Sequence, residues 1–150
     1  MPVLEDAALP SGFKTIYREK TGGLRFTELL DKVSLACPNV RFKFTSPHPK
    51  DFPDDLLHLM NERFNIASQI HMPAQSGSSH MLDKMRRGYD RESYLRLVER
   101  IRSIVPNVSL SSDFISGFCD ESEADHLDTL SLLDTVKYDQ CFMVKLSLLK

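Results

Sequence analysis

The chain has 150 residues, of which 41% are hydrophobic and 27% are charged, and its formal net charge is −2. This composition is typical of one globular domain with a core, and the balanced charge gives no global argument for binding nucleic acid or a membrane. No apolar run is long enough to cross a bilayer, so we expect no membrane partner. The N-terminal stretch lacks the apolar core of a signal peptide and is no clear transit peptide, which leaves a cytoplasmic location open.

The three cysteines are odd in number and widely spaced, at Cys37, Cys119 and Cys141. This spacing indicates neither a disulfide framework nor a metal site of the CxxC type. A reducing compartment is therefore expected.

The first third of the chain predicts an irregular lead-in followed by a helix, a strand and a helix. Residues 1–23 are rich in proline, glycine and charge. Apolar residues at helical spacing predict a helix over 25–36, and strict alternation in "VRFKFT" predicts a strand over 40–45. Asp51 is predicted to cap a helix from about Pro53 to Phe64.

The remainder of the chain alternates between strand-like and helix-like segments. Asp90 precedes a helix that Pro106 ends, and Ser122 with Asp125 forms a predicted capping box for a helix through Val136. The other predicted elements are strands over 68–73, 108–115 and 138–146, and a helix over 79–87.

Alternating helices and strands predict an α/β fold with a parallel sheet. Each of three predicted strands also carries a polar face, whereas a central strand of a doubly wound sheet is covered on both faces and reads as almost wholly apolar. We therefore favour part of a (β/α) barrel, of the TIM type, over a Rossmann-like sheet. The polar faces consist of Arg41, Lys43 and Thr45; Gln69 and His71; and Ser109, Ser111 and Asp113.

Three polar or glycine-bearing loops follow predicted strands: "SPHPKDF", "PAQSGSS" and "SGFCDES". In a (β/α) barrel, loops after the strands all lie on the face where sites are built. Their common placement is better evidence for a site than any one of them.

The loop "QSGSS" offers the amide of Gln75, the hydroxyls of Ser76 and Ser78, and Gly77 for close backbone approach. It opens a helix and could seat an anion, although the pattern alone favours an ordinary helix cap. A nucleophilic serine is not expected in this loop, because Ser76 does not lie in a G-x-S-x-G turn and no Ser/His/Asp set can be assembled around it.

The segment "DFISGFCDE" places Asp113 at a strand end, before a glycine and several acids. These groups could bind the ribose, amine or base of a ligand, or form a solvated acidic helix start. His48 and His71 could act as ligands or bases, but lone histidines beside proline are more often structural. The basic run 84–102 could face RNA phosphates, and a solvated helix surface is the favoured interpretation.

Three blocks of the sequence together resemble a known family. "RFKFTSPHPKDF", "IHMPAQSGSSHMLDKMRRGYDRESY" and "DFISGFCDESEADHLDTL" are similar to consecutive blocks of the MiaB-type radical S-adenosylmethionine methylthiotransferases. The resemblance covers roughly residues 12–142 and is strongest to the animal branch, which is named after a regulatory subunit of cyclin-dependent kinase 5.

The resemblance implies an activity with cofactors. Such enzymes carry two [4Fe–4S] clusters and use S-adenosylmethionine to add a 2-methylthio group to isopentenyl-adenosine beside the anticodon of tRNA. In the animal branch the substrates are chiefly mitochondrial tRNAs, so the resemblance implies a mitochondrial location.

The resemblance also implies roles for seven residues. Gln75, Ser76 and Ser78 match the polar loop expected near S-adenosylmethionine or substrate. Ile115 and Gly117 match the adenine-side segment, and Asp113 and Glu121 match its acidic positions. The family usually has glycine where this chain has Asp120, so the turn there is expected to differ.

Two departures from the family shape the expectation for this chain. The cluster-binding CxxxCxxC motif is absent, and the last strand ends in "FMVKLSLLK" instead of the family's usual continuation. We therefore expect a partial barrel over 24–145, truncated at both ends, with a divergent tail over 146–150 and no catalysis by the chain alone. The alternative is a non-catalytic short isoform that binds a kinase-activator protein.

Overall fold

The computed structural model describes residues 25–45, 48–49 and 52–146. The predicted lead-in 1–23 and residues 147–150 of the predicted tail lie outside this part. Five helices and three strands follow one another along the described chain. They are α1 (Phe26–Ala36), α2 (Asp54–Glu62), β1 (Gln69–His71), α3 (Ser79–Lys84), α4 (Arg91–Ile104), β2 (Ser109–Ser116), α5 (Glu123–Val136) and β3 (Gln140–Lys145).

The strands form a parallel sheet in the order β1-β2-β3, so each strand pairs with the next one along the chain. His71 of β1 lies opposite Ser111 of β2, and Asp113 of β2 lies opposite Phe142 of β3. The predicted α/β fold with a parallel sheet is confirmed.

The core lies on one face of this sheet. Residues of β2 alternate in burial, with Leu110, Ser112 and Phe114 buried and the residues between them half-buried. The apolar sides of the helices cover the buried face, since leucines and other apolar residues of α2, α4 and α5 belong to the same core cluster as β1 and β2. The other face, which carries Ser109, Ser111 and Asp113, is called the open face below.

Local signals in the sequence explain where the longer helices begin. Asp90 accepts a hydrogen bond from Ser93 N at 2.8 Å at the start of α4. Ser122 accepts from Asp125 N at 3.2 Å while Asp125 Oδ2 accepts from Ser122 N at 3.0 Å, so the predicted capping box of α5 is confirmed. Among the residues with described positions, no helix is long and apolar enough to cross a membrane.

The hydroxyl groups of the buried Tyr94 and the half-buried Tyr138 join α4 to the chain beyond α5. Tyr138 Oη donates to Tyr94 Oη at 2.9 Å, and Tyr94 Oη donates to the Met72 carbonyl at 2.9 Å. Burial raises the pKa of Tyr94, so the hydroxyl keeps its proton and its role as a donor. The contact holds α4 against the segment that follows β1.

The predicted strand over 40–45 is reduced to one bridge. Phe42 pairs with Ile66 in parallel, through Phe42 N to the Asn65 carbonyl at 2.7 Å and Ala67 N to the Phe42 carbonyl at 2.9 Å. The segment around Ile66 that pairs with Phe42 is short, because it follows directly on a turn in which Ile66 N bonds to the Arg63 carbonyl. The alternation of the sequence remains visible in burial, since Phe42 and Phe44 are half-buried between exposed neighbours.

The start of α2 agrees with its prediction, and the end of α3 does not. The α2 helix begins at Asp54, next to the predicted start at about Pro53, while the predicted cap residue Asp51 lies outside the described residues. The α3 helix ends at Lys84 and not at Arg87, because the backbone of Arg86 and Gly88 takes positive φ angles of 54° and 75°, which are incompatible with a right-handed helix.

Candidate cofactor site at the strand ends

A serine, a histidine and an aspartate meet on the open face of the sheet. His71 Nδ1 lies 3.0 Å from Ser111 Oγ, and His71 Nε2 lies 3.2 Å from Asp113 Oδ2. The parallel register brings His71 beside Ser111, and a period of two along β2 places Asp113 on the same face. Sequence reasoning excluded such a set only for the serines of the loop "QSGSS", and this grouping contains none of them.

Gln75 lies where β1 leaves the sheet and touches β2 once more. Its N–H donates to the Asp113 carbonyl and its carbonyl accepts from Ile115 N, each at 2.9 Å. Its φ angle of 70° lies in the left-handed region, which non-glycine residues seldom adopt. Two backbone hydrogen bonds hold this conformation and keep the half-buried side chain beside the end of β2.

Ser76 and Ser78 are buried against α5. Ser76 Oγ lies 3.3 Å from Thr129 Oγ1, and Ser78 Oγ donates to Asp125 Oδ1 at 2.5 Å. Ser78 Oγ also accepts from Met81 N at 3.4 Å, as the N-cap of α3. Both hydroxyls thus fasten the loop to neighbouring helices, and contact with S-adenosylmethionine stays a prediction for them.

Gly77 permits the close approach between this loop and α5. A Cβ atom at this position would lie 2.4 Å from the Asp128 carbonyl oxygen and 2.5 Å from Thr129 Cα. Gly77 N donates to Thr129 Oγ1 at 2.9 Å. Arg91 completes the junction, since its Nη1 donates to the Gly77 carbonyl at 3.0 Å and to the Asp128 carbonyl at 2.5 Å.

Asp125 is the polar centre of this junction. Its Oδ1 accepts from Ser78 and lies 3.2 Å from His80 Nδ1, while its Oδ2 accepts from Ser122 Oγ at 2.6 Å. Hydrogen bonds from Ser122, and then from Ser78, hold the pKa of Asp125 well below its usual value. The ionised carboxylate therefore ties the loop 75–80 to the start of α5.

The second predicted loop carries Gly117 and Glu121. Gly117 has a φ of 78°, and its N–H donates to the Glu121 carboxylate. The Glu121 side chain is only 6% exposed, and its Oε1 lies 3.9 Å from His126 Nδ1. The structure therefore gives Glu121 a role in shaping the loop, while contact of either residue with a ligand stays a prediction.

The turn at Asp120 keeps a backbone that suits glycine. Asp120 has a φ of 61°, and its carboxylate lies 3.0 Å from Lys84 Nζ. Aspartate is one of the few side chains that tolerate this region. The left-handed turn is thus compatible with aspartate at this position.

Ile115 and Asp113 both lie on the open face, next to exposed apolar residues of β3. Ile115 is paired with Val144, and Asp113 is paired with Phe142, which is 53% exposed. The open face therefore combines hydrogen-bonding groups with an apolar edge. A cationic, ring-bearing cofactor such as S-adenosylmethionine fits these side chains, because Asp113 supplies negative charge and Phe142 and Val144 supply apolar contact.

An iron–sulfur cluster does not fit the described residues. No group of three histidine, cysteine or acidic side chains lies close enough together to hold a metal within the described ranges. Cys37 and Cys119 are exposed and far apart in sequence, while burial raises the pKa of the Cys141 thiol, as does the nearby Asp113 charge. A raised pKa disfavours the thiolate that a cluster needs.

Sequence reasoning missed two groupings that the structure brings together. It placed His71, Ser111 and Asp113 on polar strand faces but had no register with which to pair them. It assigned Asp125 only to a capping box, although Ser78 and His80 also reach this carboxylate. The pattern of small residues around Gly77 was the available signal of a tight junction.

Comparison with known proteins establishes the class. Residues 12–133 match the family model of the radical SAM superfamily, and the chain therefore belongs to this superfamily. It is 58% identical over 142 residues, or 95% of its length, to a mitochondrial tRNA methylthiotransferase CDK5RAP1 of Mus musculus. It is also 58% identical over 140 residues, or 93% of its length, to a CDK5RAP1-like protein of Oryza sativa.

The similarity extends to bacterial proteins. A tRNA-2-methylthio-N(6)-dimethylallyladenosine synthase of Chloroherpeton thalassium is 52% identical over 126 residues, which are 84% of this chain and 28% of that protein. The chain spans about a quarter of the length of the curated relatives it matches, with 24% of the mouse protein and 23% of the rice protein covered. The resemblance noted in the sequence is confirmed.

Proposed function

We propose that the chain forms part of a (β/α) barrel that binds S-adenosylmethionine in a tRNA methylthiotransferase. The observation that carries the proposal is the polar set on the open face, in a chain 58% identical to the mouse methylthiotransferase over 95% of its length. The order of the parallel sheet supports a barrel, because every strand pairs with its successor in the chain.

The proposed roles follow from the positions of the side chains. Asp113 provides a half-exposed carboxylate, and Gln75 provides an amide at the end of the same strand pair. Gly117 shapes the loop beside the site, since its left-handed backbone lets the Leu146 carbonyl approach closely, and Ile115 offers an apolar surface beside Asp113. Ser76, Ser78 and Glu121 hold the two loops in shape. When bound, S-adenosylmethionine supplies the radical chemistry after which the superfamily is named.

The proposed substrate is tRNA, and the proposed product is a 2-methylthio-adenosine derivative. The names of the mouse and bacterial relatives support both. Those of the mouse, rat and human relatives also support a mitochondrial location. Binding of a kinase activator stays a prediction, since no contact in the described structure favours it.

A segment exchange tests the activity. The matched segment of the mouse protein is replaced by the corresponding residues of this chain and produced in cells that lack the mouse protein. We expect 2-methylthio-adenosine derivatives in mitochondrial tRNA, measured by mass spectrometry of digested nucleosides, and a lower yield when the exchanged segment carries Asp113→Asn. Asp134→Asn, an exposed change on α5, is the matched control and should keep the full yield. A chimera that accumulates normally without any such product contradicts the proposal.

Binding of the cofactor is tested on the chain itself. Isothermal titration of S-adenosylmethionine into the 150-residue chain should show a saturable site. Asp113→Asn should weaken it by about tenfold, the change expected when one charge-assisted hydrogen bond is lost. Equal affinities for the unmodified chain and Asp113→Asn would exclude Asp113 from the site.

A further inference from the structure

We propose that His71 is a positioning residue that fixes the carboxylate of Asp113 so that its second oxygen accepts a hydrogen bond from an adenine nucleoside. This inference rests on the function proposed above. It assigns a role to a residue that the family resemblance left without one, and it accounts for the Ser–His–Asp set on the open face.

His71 is anchored at both ring nitrogens, which prevents the ring from rotating. Ser111 Oγ lies 3.0 Å from Nδ1, and Asp113 Oδ2 lies 3.2 Å from Nε2. The His71 side chain is 17% exposed, against 36% for Asp113. The imidazole is thus the inner, more buried partner, and the carboxylate is the outer partner that a ligand can reach.

The chemistry of the two partners decides where the protons lie. An ionised carboxylate only accepts hydrogen bonds, so Nε2 must carry the proton that it shares with Asp113. In the neutral ring, Nδ1 is then an acceptor, and the Ser111 hydroxyl donates a hydrogen bond to it. The resulting chain runs from Ser111 through His71 to Asp113 and holds one carboxylate oxygen in a fixed position.

The second oxygen of Asp113 is available to a ligand. Within the ranges that the structure describes, Oδ2 bonds to His71 while no donor lies within hydrogen-bond distance of Oδ1. Phe142 lies beside Asp113 in the strand register and is largely exposed, and Ile115 and Val144 form the next pair on the same face. An acceptor next to an aromatic ring and an aliphatic pair suits a flat group with N–H or O–H donors at its edge.

An adenine nucleoside has this form, with an amino group and ribose hydroxyls. It has two sources in the proposed reaction: the adenosyl group of S-adenosylmethionine and the adenosine of the tRNA substrate. Both share the chemistry, so the experiment must separate them.

The set is not a hydrolytic triad. Ser111 lies in the middle of β2, where its carbonyl accepts from Met72 N at 2.8 Å, and not on an exposed strand-to-helix turn. The serine is therefore held as an anchor for the imidazole, with the aspartate facing the ligand.

Two substitutions of His71 separate the bond to Asp113 from the bond to Ser111. Glutamine can place an N–H near the position of Nε2, so His71→Gln should keep the contact with Asp113. Asparagine is shorter and reaches only the position of Nδ1, so His71→Asn should keep Ser111 and lose Asp113. Urea unfolding of both variants at equal concentration checks that each folds with a comparable midpoint.

Binding is measured by isothermal titration on the full chain with two probes, S-adenosylmethionine and a short single-stranded RNA that contains adenosine. We expect His71→Asn to weaken one of them by about tenfold or more, and His71→Gln to stay within about threefold of the unmodified chain. The probe that is weakened identifies the source of the nucleoside.

Nuclear magnetic resonance supplies a signal that reports the hydrogen bond of His71 and not only whether the chain is folded. The hydrogen-bonded Nε2 proton of His71 should give a resolved signal that is lost in Asp113→Ala and shifts when the favoured probe binds. Equal binding of both probes by His71→Asn and the unmodified chain overturns this inference alone. If the unmodified chain binds neither probe, the proposed function fails with it.

Discussion

Ser78 Oγ donates to Asp125 Oδ1 at 2.5 Å, which joins the loop after β1 to the first turn of α5. The residues are 47 positions apart in the sequence. The same carboxylate accepts from Ser122 and lies close to His80, so one ionised group fixes two loops at the strand ends. The hydroxyl that resembled a cofactor contact in the sequence therefore has a partner within the protein.

The carboxylate of Asp125 should make stability depend on pH. Its pKa in the folded protein lies below the value of about 3.9 expected in the unfolded chain. The ionised form is thus favoured by folding, and its contribution is complete above about pH 5 and is lost as the pH falls below about 4. We expect the urea midpoint of the unmodified chain to fall between pH 5 and pH 3 more steeply than that of Asp125→Asn.

The control for this experiment is Asp134→Asn, which changes an exposed carboxylate on the same helix. It should follow the pH dependence of the unmodified chain. Identical pH profiles for Asp125→Asn and the unmodified chain would show that the junction does not depend on the charge.

Gly77 should tolerate no larger side chain. An alanine Cβ would lie 2.4 Å from the Asp128 carbonyl oxygen and 2.5 Å from Thr129 Cα, and both are backbone atoms that cannot move aside alone. We expect Gly77→Ala to lower the free energy of unfolding by about 1–3 kcal/mol through this overpacking. Urea titration measures it, and Ser103→Ala, an exposed change on α4, should stay within about 0.5 kcal/mol of the unmodified chain.

The sequence predicted those parts of the fold that depend on local patterns. The spacing of apolar residues predicted α1 and α4, and the Ser122–Asp125 pair predicted the start of α5. It did not predict the loss of strand 40–45, because a strand needs an extended partner and residues 65–67 supply only one bridge. Local patterns contain no information about that partner.

The candidate site was predicted in position but not in its contacts. The sequence placed Asp113 within one predicted strand and Gln75 directly after another, and both strands end at the same edge of the sheet. The pairing of His71 with Ser111 and Asp113 depends on the register of β1 against β2, which periodicity alone leaves open. The burial of Ser76 depends on how closely α5 packs against the loop. Gly77 permits this close packing, but a glycine in the sequence does not by itself predict it.

Replacing Arg91 with lysine should lower the stability of the protein. Its guanidinium donates to the carbonyls of Gly77 and Asp128 and to Ser131 Oγ, the last at 3.0 Å. A lysine ammonium cannot reproduce this planar set of donors. We expect Arg91→Lys to lower the free energy of unfolding by about 1–2 kcal/mol.

Arg86→Lys is the matched control for that substitution, because the Arg86 side chain is exposed on the segment after α3. Urea unfolding of both variants gives the comparison. A loss for Arg91→Lys no greater than that of Arg86→Lys would mean that the guanidinium is not required to hold the loop against α5.

The hydroxyls of Tyr94 and Tyr138 should be energetically coupled. Tyr138 donates to Tyr94, and Tyr94 donates to the Met72 carbonyl, each at 2.9 Å. Tyr94→Phe removes both bonds and leaves a buried carbonyl without this donor, so we expect a loss of about 1–3 kcal/mol in the free energy of unfolding. Tyr138→Phe removes one bond and should lower the free energy of unfolding by about 1 kcal/mol.

Urea titration of both single variants and the double variant completes a double-mutant cycle. The losses of the two single variants should sum to more than the loss of the double variant, because either change removes the shared bond. Strict additivity of the two losses would show that the two hydroxyls act independently and that the bond between them contributes nothing to stability.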